Sequence, residues 1–240
     1  VSSSEGGRPA SKASDGHTFY GNVFGGGSGK DPYKPGKWLM TAGGVGGYTN
    51  VTITGGHILT SVYGGNELTN VGEELVNDET KNKGKCIIRM SGGSIGVPRT
   101  LQQILDHPVT CNLFGAGKGD QRVLFNKWTN VNDVDIQITG GTIYGSVFGG
   151  GEDGHVMRDV KLEIGQASGK TTMIGTLGTS GFEGNVFGGG RGFGGDAYTA
   201  GNVAGSVDLD ITGGTMLGSV YGGGRLASVG YGLYDKGVSG

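Results

Sequence analysis

Five charged residues recur at alternate positions of three short segments that have the pattern of β-strands. They are Asp135, Lys161, Glu163, Asp208 and Asp210. Two carboxyl groups about 5 Å apart can cleave a glycosidic bond, one as general acid and the other as nucleophile. Parallel strands lie about 4.8 Å apart, so Glu163 and Asp210 would have this spacing if their segments pair in register. The competing interpretation is a ladder of solvated charges, and it is favoured because a fold alone does not establish an enzyme.

A second group of acidic residues follows the glycine-rich runs of the chain, and it includes Asp120, Asp153 and Asp196. Calcium takes about six to eight oxygen ligands, which acids from neighbouring turns of the chain could supply. The distances of these residues from the preceding glycines differ, however, so solvated loop acids are the favoured interpretation. The sequence therefore predicts no cofactor, with calcium as the alternative.

Aromatic side chains in irregular segments are the candidate ligand contacts, above all Trp38, Trp128 and Tyr198. Loops carry specificity on a repeating scaffold, so these rings could contact a glycan or a surface protein of a host or a bacterium. A tryptophan that covers an open end of the fold is the alternative for Trp38 and Trp128.

Two cysteines, Cys86 and Cys111, bracket an inserted segment. A disulfide between them would fasten this segment and would fit an oxidising exterior. Two free buried thiols are the alternative that the sequence leaves open.

The composition restricts the elements that can position these residues. The 240 residues include 56 glycines and only 5 prolines, and the glycines lack the three-residue period of collagen. Glycine costs a helix about 1 kcal/mol per residue relative to alanine, so long helices are excluded. The net charge of −2 comes with no basic block, which argues against nucleic acid, and no apolar run approaches the ~18 residues of a membrane span.

A repeat explains the glycines. A unit of the type Gly-Asn-Val-Phe-Gly-Gly-Gly occurs six times, with its aromatic residue at Phe24, Tyr63, Phe114, Phe148, Phe187 and Tyr221. An alternating apolar and polar segment precedes five of these units, as at Val134–Thr139, and this period of two predicts half-buried strands. After insertions are removed, about 26 residues remain per turn. One insertion, 96–109, contains a short predicted helix at 99–106.

These features predict an all-β fold, a single-stranded parallel β-helix of about six coils with glycine corners and irregular loop insertions. We expect this domain to span residues 19–229, between a flexible segment at 1–18 and a tail or truncated next coil at 230–240. The predicted register stacks Asp135, Lys161 and Asp208 in one outward column. Open coil ends would expose unpaired strand edges and so favour self-association.

The unit at 136–151, repeated at 209–224, resembles the glycine-rich repeats of large bacterial cell-surface and secreted proteins. The resemblance implies a parallel β-helix at the cell surface or outside the cell. It also implies a non-catalytic role as a structural spacer or an adhesin that binds glycan or protein through its loops. A polysaccharide lyase or glycoside hydrolase of the parallel β-helix type is the alternative.

Overall fold

The protein was analysed as a computed structural model, which describes residues 21–29, 42–72, 83–106, 110–119, 129–192 and 201–230. These residues are mostly β-structure in parallel sheets, with one short helix. The strands are β1 (Val23–Phe24), β2 (Thr49–Ile53), β3 (His57–Ile58), β4 (Val62–Tyr63), β5 (Lys85–Ile95), β6 (Leu113–Phe114), β7 (Asn130–Val131), β8 (Asp133–Ile143), β9 (Val147–Phe148), β10 (His155–Val156), β11 (Val160–Ile164), β12 (Thr172–Ile174), β13 (Val186–Phe187), β14 (Val207–Ile211), β15 (Thr215–Met216) and β16 (Val220–Tyr221), and the helix is α1 (Leu101–Asp106).

The alternating segments form one parallel sheet of eight strands: β2, β3, β5, β8, β11, β12, β14 and β15. Its register is the predicted one, because Ile136 pairs with Ile88 on one side and with Leu162 on the other. Side chains of a strand alternate between the two faces of the sheet, so the apolar positions share one buried face. The buried columns are Val51, Ile88, Ile136, Leu162, Leu209 and Ile53, Met90, Ile138, Ile164, Ile211.

The short aromatic strands form a second parallel sheet, in the order β1, β4, β6, β9, β13, β16. It contains the predicted aromatic column. Successive rings stack with centroids 4.7–5.0 Å apart and planes within 11° of parallel. The chain therefore visits the eight-stranded and the six-stranded sheets in turn, once in each of the repeats 2 to 6.

The two sheets pack against each other through the glycine that follows each aromatic residue. A Cβ atom on Gly115 would lie 2.1 Å from the carbonyl oxygen of Gly149 in the next repeat, and 2.4 Å from Cγ1 of Val134 in the other sheet. Gly64 and Gly149 would meet a carbonyl oxygen at the same distance of 2.1 Å. Only glycine leaves room for this approach, so in the inner repeats the first residue of the glycine run is fixed by contact rather than by backbone angle.

The glycine pairs at the bend of the eight-stranded sheet have a different cause. Gly93 and Gly141 have φ angles of +81° and +105°, which side chains other than glycine rarely adopt. Single strands nevertheless run through both bends, since β5 and β8 remain paired on either side of them with a shift of register near Ser91. The glycine corners were expected to end the strand. Instead, β5 and β8 continue through them with a β-bulge.

Asparagine and serine alternate in the position before each Val-Phe, Leu-Phe or Val-Tyr pair, and they form a continuous file of hydrogen bonds. The backbone N–H of Ser146 donates to Asn112 Oδ1 at 2.8 Å, and the N–H of Asn185 donates to Ser146 Oγ at 3.2 Å. The same bond joins Ser61 to Asn22, Asn112 to Ser61 and Ser219 to Asn185. Each repeat thus supplies a side-chain acceptor to the backbone of the next.

A third side of the fold is less regular in the described part of the chain. It consists of the two-stranded sheet of β7 and β10 and of isolated bridges. A valine recurs in it at Val45, Val71, Val131, Val156, Val203 and Val229, and these side chains belong to the same apolar core as the two large sheets. On this side β10 pairs with β7 in parallel, His155 with Asn130 and Val156 with Val131.

Two irregular segments interrupt the repeats, the predicted insertion at 96–109 and the loop at 175–185 between β12 and β13. The first contains α1, which was predicted at 99–106 and spans Leu101–Asp106, with the side chain of Ile104 buried. In the second, the buried carboxylate of Glu183 accepts hydrogen bonds from the backbone N–H groups of Thr176, Leu177 and Gly178. This carboxylate fixes the loop, because three backbone donors that face one buried acceptor cannot separate without loss of their bonds.

Candidate functional site

The outward face of the eight-stranded sheet carries the charged residues that the sequence singled out. Lys161 pairs with Asp135 on one side and Asp208 on the other, and Glu163 pairs with Asp210. The predicted columns are thus confirmed. The structure brings all five candidate catalytic residues onto one face, with Asp208 and Asp210 on its last strand.

Most of these charges are already neutralised by ion pairs. Asp135 binds Lys85 at 2.9 Å and Arg89 at 2.8 Å. Burial alone would raise the pKa of Asp135, but the hydrogen bonds from Arg89 and Lys85 outweigh it and hold this pKa below its ordinary value. Asp135 is therefore ionised at neutral pH and is unsuited to act as a general acid.

The other predicted carboxylate with a close cation is Glu163, which binds Lys161 at 2.9 Å. This hydrogen bond and the charge of Glu163 raise the pKa of Lys161. Glu163 and Asp210 are thus register partners on neighbouring strands, but Glu163 is held by a lysine on its own strand. An exposed lysine–glutamate ion pair of this kind is typical of a ladder of surface charges, so the arrangement does not distinguish such a ladder from a catalytic pair.

A shallow cleft of about 400 Å³ opens on this face where four strands begin. Asp133 at its edge is paired with Arg158, and Asp159 accepts a hydrogen bond from the backbone N–H of Ser206 at 2.7 Å. The cleft offers both donors and acceptors to a polar ligand such as a sugar. Its lining residues are Lys85, Asp133, Val134, Asp159, Val160, Lys161, Ser206 and Asp208.

The sequence analysis missed a column of charged residues under the glycine runs. Backbone bridges join Glu67 to Lys118 and Glu152 to Arg191, and Arg191 to Arg225 at the end. Lys118, Glu152 and Arg191 are all buried. Negative and positive charges alternate along the column until its last step, where two arginines adjoin. The signal was present in the sequence, since these residues follow their aromatic residues at an offset of four.

One contact links this column to the aromatic file. The Tyr63 hydroxyl donates a hydrogen bond of 2.5 Å to Glu152 Oε2, and Lys118 Nζ lies 5.9 Å from the centroid of the Tyr63 ring. Burial raises the pKa of Tyr63 well above its ordinary value, and the charge of Glu152 raises it further. Tyr63 is therefore a neutral hydrogen-bond donor that satisfies a buried carboxylate, which is a structural role.

The calcium prediction falls on only one described residue. Asp153 is fully buried, and its backbone N–H donates to the carbonyl oxygen of Arg191 at 2.8 Å. Asp120 and Asp196 lie outside the described residues. Within the described ranges, no three His, Cys, Asp or Glu side chains are grouped so that they could hold a metal ion. Calcium binding stays a prediction.

The disulfide is not formed, since Cys86 and Cys111 are both free and buried. Cys86 is the second residue of β5, whereas Cys111 packs against Gly96, just beyond the opposite end of that strand. The length of β5 separates the two thiols, so of the two alternatives the structure has the free buried thiols. Burial raises the pKa of Cys86 to about 12, so this thiol is unreactive.

The candidate ligand contacts Trp38, Trp128 and Tyr198 all lie outside the described residues. No helix of the described part is long and apolar enough to cross a membrane. No protein-family model, no curated protein and no solved structure matches the chain. No relative therefore supplies a role for any residue.

Proposed function

We propose that the chain is a rigid, non-catalytic repeat segment whose sheets wind together as a parallel β-helix. The observation that carries this proposal is the unbroken stacking of equivalent residues. Five successive ring contacts of 4.7–5.0 Å run beside the file of asparagine and serine hydrogen bonds. Each ring contact contributes about 0.5–1.5 kcal/mol beyond its buried area, so the repeats support one another along the whole stack.

The alternation of the chain between two sheets with a shared core supports the winding. Val134 in β8 contacts the glycine after Phe114 in the other sheet, and Val160 in β11 does the same for Gly149. The isolated bridges of the valine column would complete each turn on the third side. A stack of this kind holds its two ends at a fixed distance, which is the property required of a spacer.

The resemblance of the repeats to those of bacterial surface proteins supports a place at the cell surface or outside the cell. In that setting the insertions and loops, with Trp38, Trp128 and Tyr198, would provide contacts to glycan or protein. The polar cleft beside Lys161 and Asp208 would be a second contact for sugar hydroxyls. A glycan array with the variants Trp38→Ala and Trp128→Ala tests the adhesive part of the proposal. Unchanged glycan binding by both variants would show that these two residues do not contact the glycan.

Rigidity is tested by the distance between the first and last strands of one outward column. Spin labels at Thr52→Cys and Asp210→Cys would be separated by four strand steps, or about 19 Å between backbones. The two native thiols are buried and should not react, so the labels mark only the introduced sites. We expect one narrow distance distribution in samples diluted with unlabelled protein. A broad distribution would contradict a rigid spacer.

The competing function is a polysaccharide-cleaving enzyme, favoured only by the spacing of Glu163 and Asp210. Digestion of pectin, alginate and glycosaminoglycans distinguishes the two. New reducing or unsaturated ends that are absent with Glu163→Gln would show that the protein cleaves polysaccharide, and they would contradict the non-catalytic spacer. The variant Arg89→Gln, on the same face but without a carboxylate, is the control.

A further inference from the structure

The described part of the stack ends in an exposed apolar surface, the C-terminal face, formed by the outer edges of β14, β15 and β16 together with Leu226. Val220, Tyr221 and Leu226 are 44%, 48% and 68% exposed. The residues equivalent to the first two in an inner repeat, Val147 and Phe148, are 0% and 1% exposed. The inner repeats thus show what these side chains contact when a further repeat lies over them.

The opposite end of the stack is not open in the same way. Val51 and Ile53 on its first long strand are 9% and 5% exposed, whereas their equivalents Leu209 and Ile211 on β14 are half-buried. A head-to-tail contact between copies would join an open face to a covered one. A contact between two C-terminal faces buries both open surfaces, and such a contact is closed by a two-fold axis.

Charge on the C-terminal face is divided between its two sides. Asp208 and Asp210 are exposed on the edge strand β14. On the other side Arg225 adjoins Arg191, so the alternation of charges in the buried column ends with two cations. Arg225 also lies over the Phe182 ring, with its guanidinium carbon 5.1 Å from the centroid, and donates to the carbonyl oxygen of Gly181 at 2.8 Å.

A two-fold axis reverses the order of the sides around a stacked repeat. Along the chain the order is β14, β15, β16 and then Arg225. An axis at the corner between β15 and β16 therefore sets the acidic β14 edge of one copy opposite Arg225 of the other, and does so twice. The same axis sets the apolar Met216 opposite Tyr221. Opposite charges meet and the exposed ring is covered, which fulfils both requirements of the surface.

We propose that two copies of this chain associate through their C-terminal faces about this axis, with Tyr221 and Val220 at the centre and the Asp208–Asp210 edge against Arg225 of the other copy. The geometry rests on the stacked architecture proposed above. The association continues between copies the edge pairing and ring contacts that already join neighbouring repeats within one copy.

Light scattering coupled to size exclusion tests the association. With a chain of 24.4 kDa, we expect a mass that rises to about twice this value with concentration and stops there. Tyr221→Asp places a charge at the centre and should weaken the dimer at least tenfold. Leu101→Asp, a change of the same kind at a residue of α1 that is 44% exposed and belongs to an inner repeat, should leave the dimer intact. A monomer at all concentrations, a mass that grows beyond the dimer, or a dimer indifferent to Tyr221→Asp would overturn the proposal.

A charge exchange tests the orientation. Asp208→Arg and Arg225→Asp should each weaken the dimer, and the chain carrying both should recover it. Because Arg225 also contacts Phe182, the melting temperature of each variant is measured. Asp208→Arg combined with Asp210→Arg should weaken the dimer further without a change at Arg225. Additive losses in the chain carrying both Asp208→Arg and Arg225→Asp would refute the orientation. A folded monomer with the narrow spin-label distance would refute the dimer and leave the proposed spacer unaffected.

Discussion

Replacement of Gly115 by alanine tests whether the glycine runs are fixed by close contact. The new Cβ would lie 2.1 Å from the carbonyl oxygen of Gly149, 2.4 Å from Val134 Cγ1 and 2.8 Å from Ile136 Cδ1. Two of the three atoms belong to the opposite sheet, so relief of the contacts requires a shift of more than 1 Å in a packed core. Such overpacking costs about 1–3 kcal/mol, occasionally more.

The shift would also stretch the hydrogen bond of 2.9 Å from the Gly115 N–H to the carbonyl oxygen of Phe148, a further loss of about 1 kcal/mol. The lower entropy of alanine in the unfolded chain returns about 0.4–1 kcal/mol. We therefore expect Gly115→Ala to lower the free energy of unfolding by about 2 kcal/mol, and by no more than about 3.6 kcal/mol. In a chain of this size a loss of about 2 kcal/mol corresponds to a fall in Tm of roughly 4–8 °C.

Gly222 is the matched control, since it occupies the same position of the last repeat and a Cβ there would meet nothing within 4 Å. Gly222→Ala should leave stability unchanged or raise it by up to about 1 kcal/mol. Urea unfolding followed by circular dichroism, at a concentration that keeps the chain monomeric, measures both variants. Equal stability of the two variants would refute the explanation by close contact, because composition and backbone propensity are the same at both positions.

Three further predictions follow from other contacts. Asn112→Ala removes the acceptor of the buried Ser146 N–H and should lower the free energy of unfolding by about 1–3 kcal/mol. Ser219→Ala, at the exposed end of the same file, should lower it by less than about 0.5 kcal/mol. Equal losses of the two variants in urea unfolding would contradict a stabilising role for this file of hydrogen bonds. The pKa of Asp135 is lowered in the folded state, so its contribution to stability is present above the unfolded value of about 3.9 and is lost as the pH falls through the folded value. The free energy of unfolding of Asp135→Asn should therefore fall less between neutral and acid pH than that of the native chain. Equal falls with pH in the two proteins would contradict the ion pairs of Asp135 with Lys85 and Arg89. With its pKa at about 12, Cys86 should resist alkylation at pH 8 until the chain unfolds, and the intact mass should not change on reduction; rapid alkylation of the folded protein would place this thiol at the surface instead.

Much of the fold could be predicted because the relevant signals are periodic. The alternation of apolar and polar residues in 134–139 fixes which side chains share a face, and a register error of one residue would bury Asp135 and Lys161. The alignment of Val51, Ile88, Ile136, Leu162 and Leu209 keeps every member apolar. The aromatic file followed from its constant place beside the glycines.

Other features depend on contacts that no periodic pattern reveals. The charge column follows the aromatic residues at a constant offset of four, but its burial depends on contacts between repeats, and Lys118 bridges to Asp153 in the antiparallel direction. The state of the cysteines could not be predicted because spacing along the chain does not report separation in space, and Cys86 and Cys111 lie at opposite ends of β5. The alternation of asparagine and serine was visible, but its meaning as a hydrogen-bond file requires the direction of each side chain.

Nuclear Overhauser contacts of the Phe114 ring test the winding of the two sheets into one stack most directly. The ring lies between Tyr63 and Phe148, with centroids 5.0 and 4.8 Å away, and the adjoining Gly115 approaches Val134 and Ile136 of the other sheet. We predict contacts from the Phe114 ring to both neighbouring rings, and from the Gly115 α-protons to the Val134 and Ile136 methyl groups. Ring contacts without any contact between Gly115 and these methyl groups would separate the two sheets and contradict the parallel β-helix.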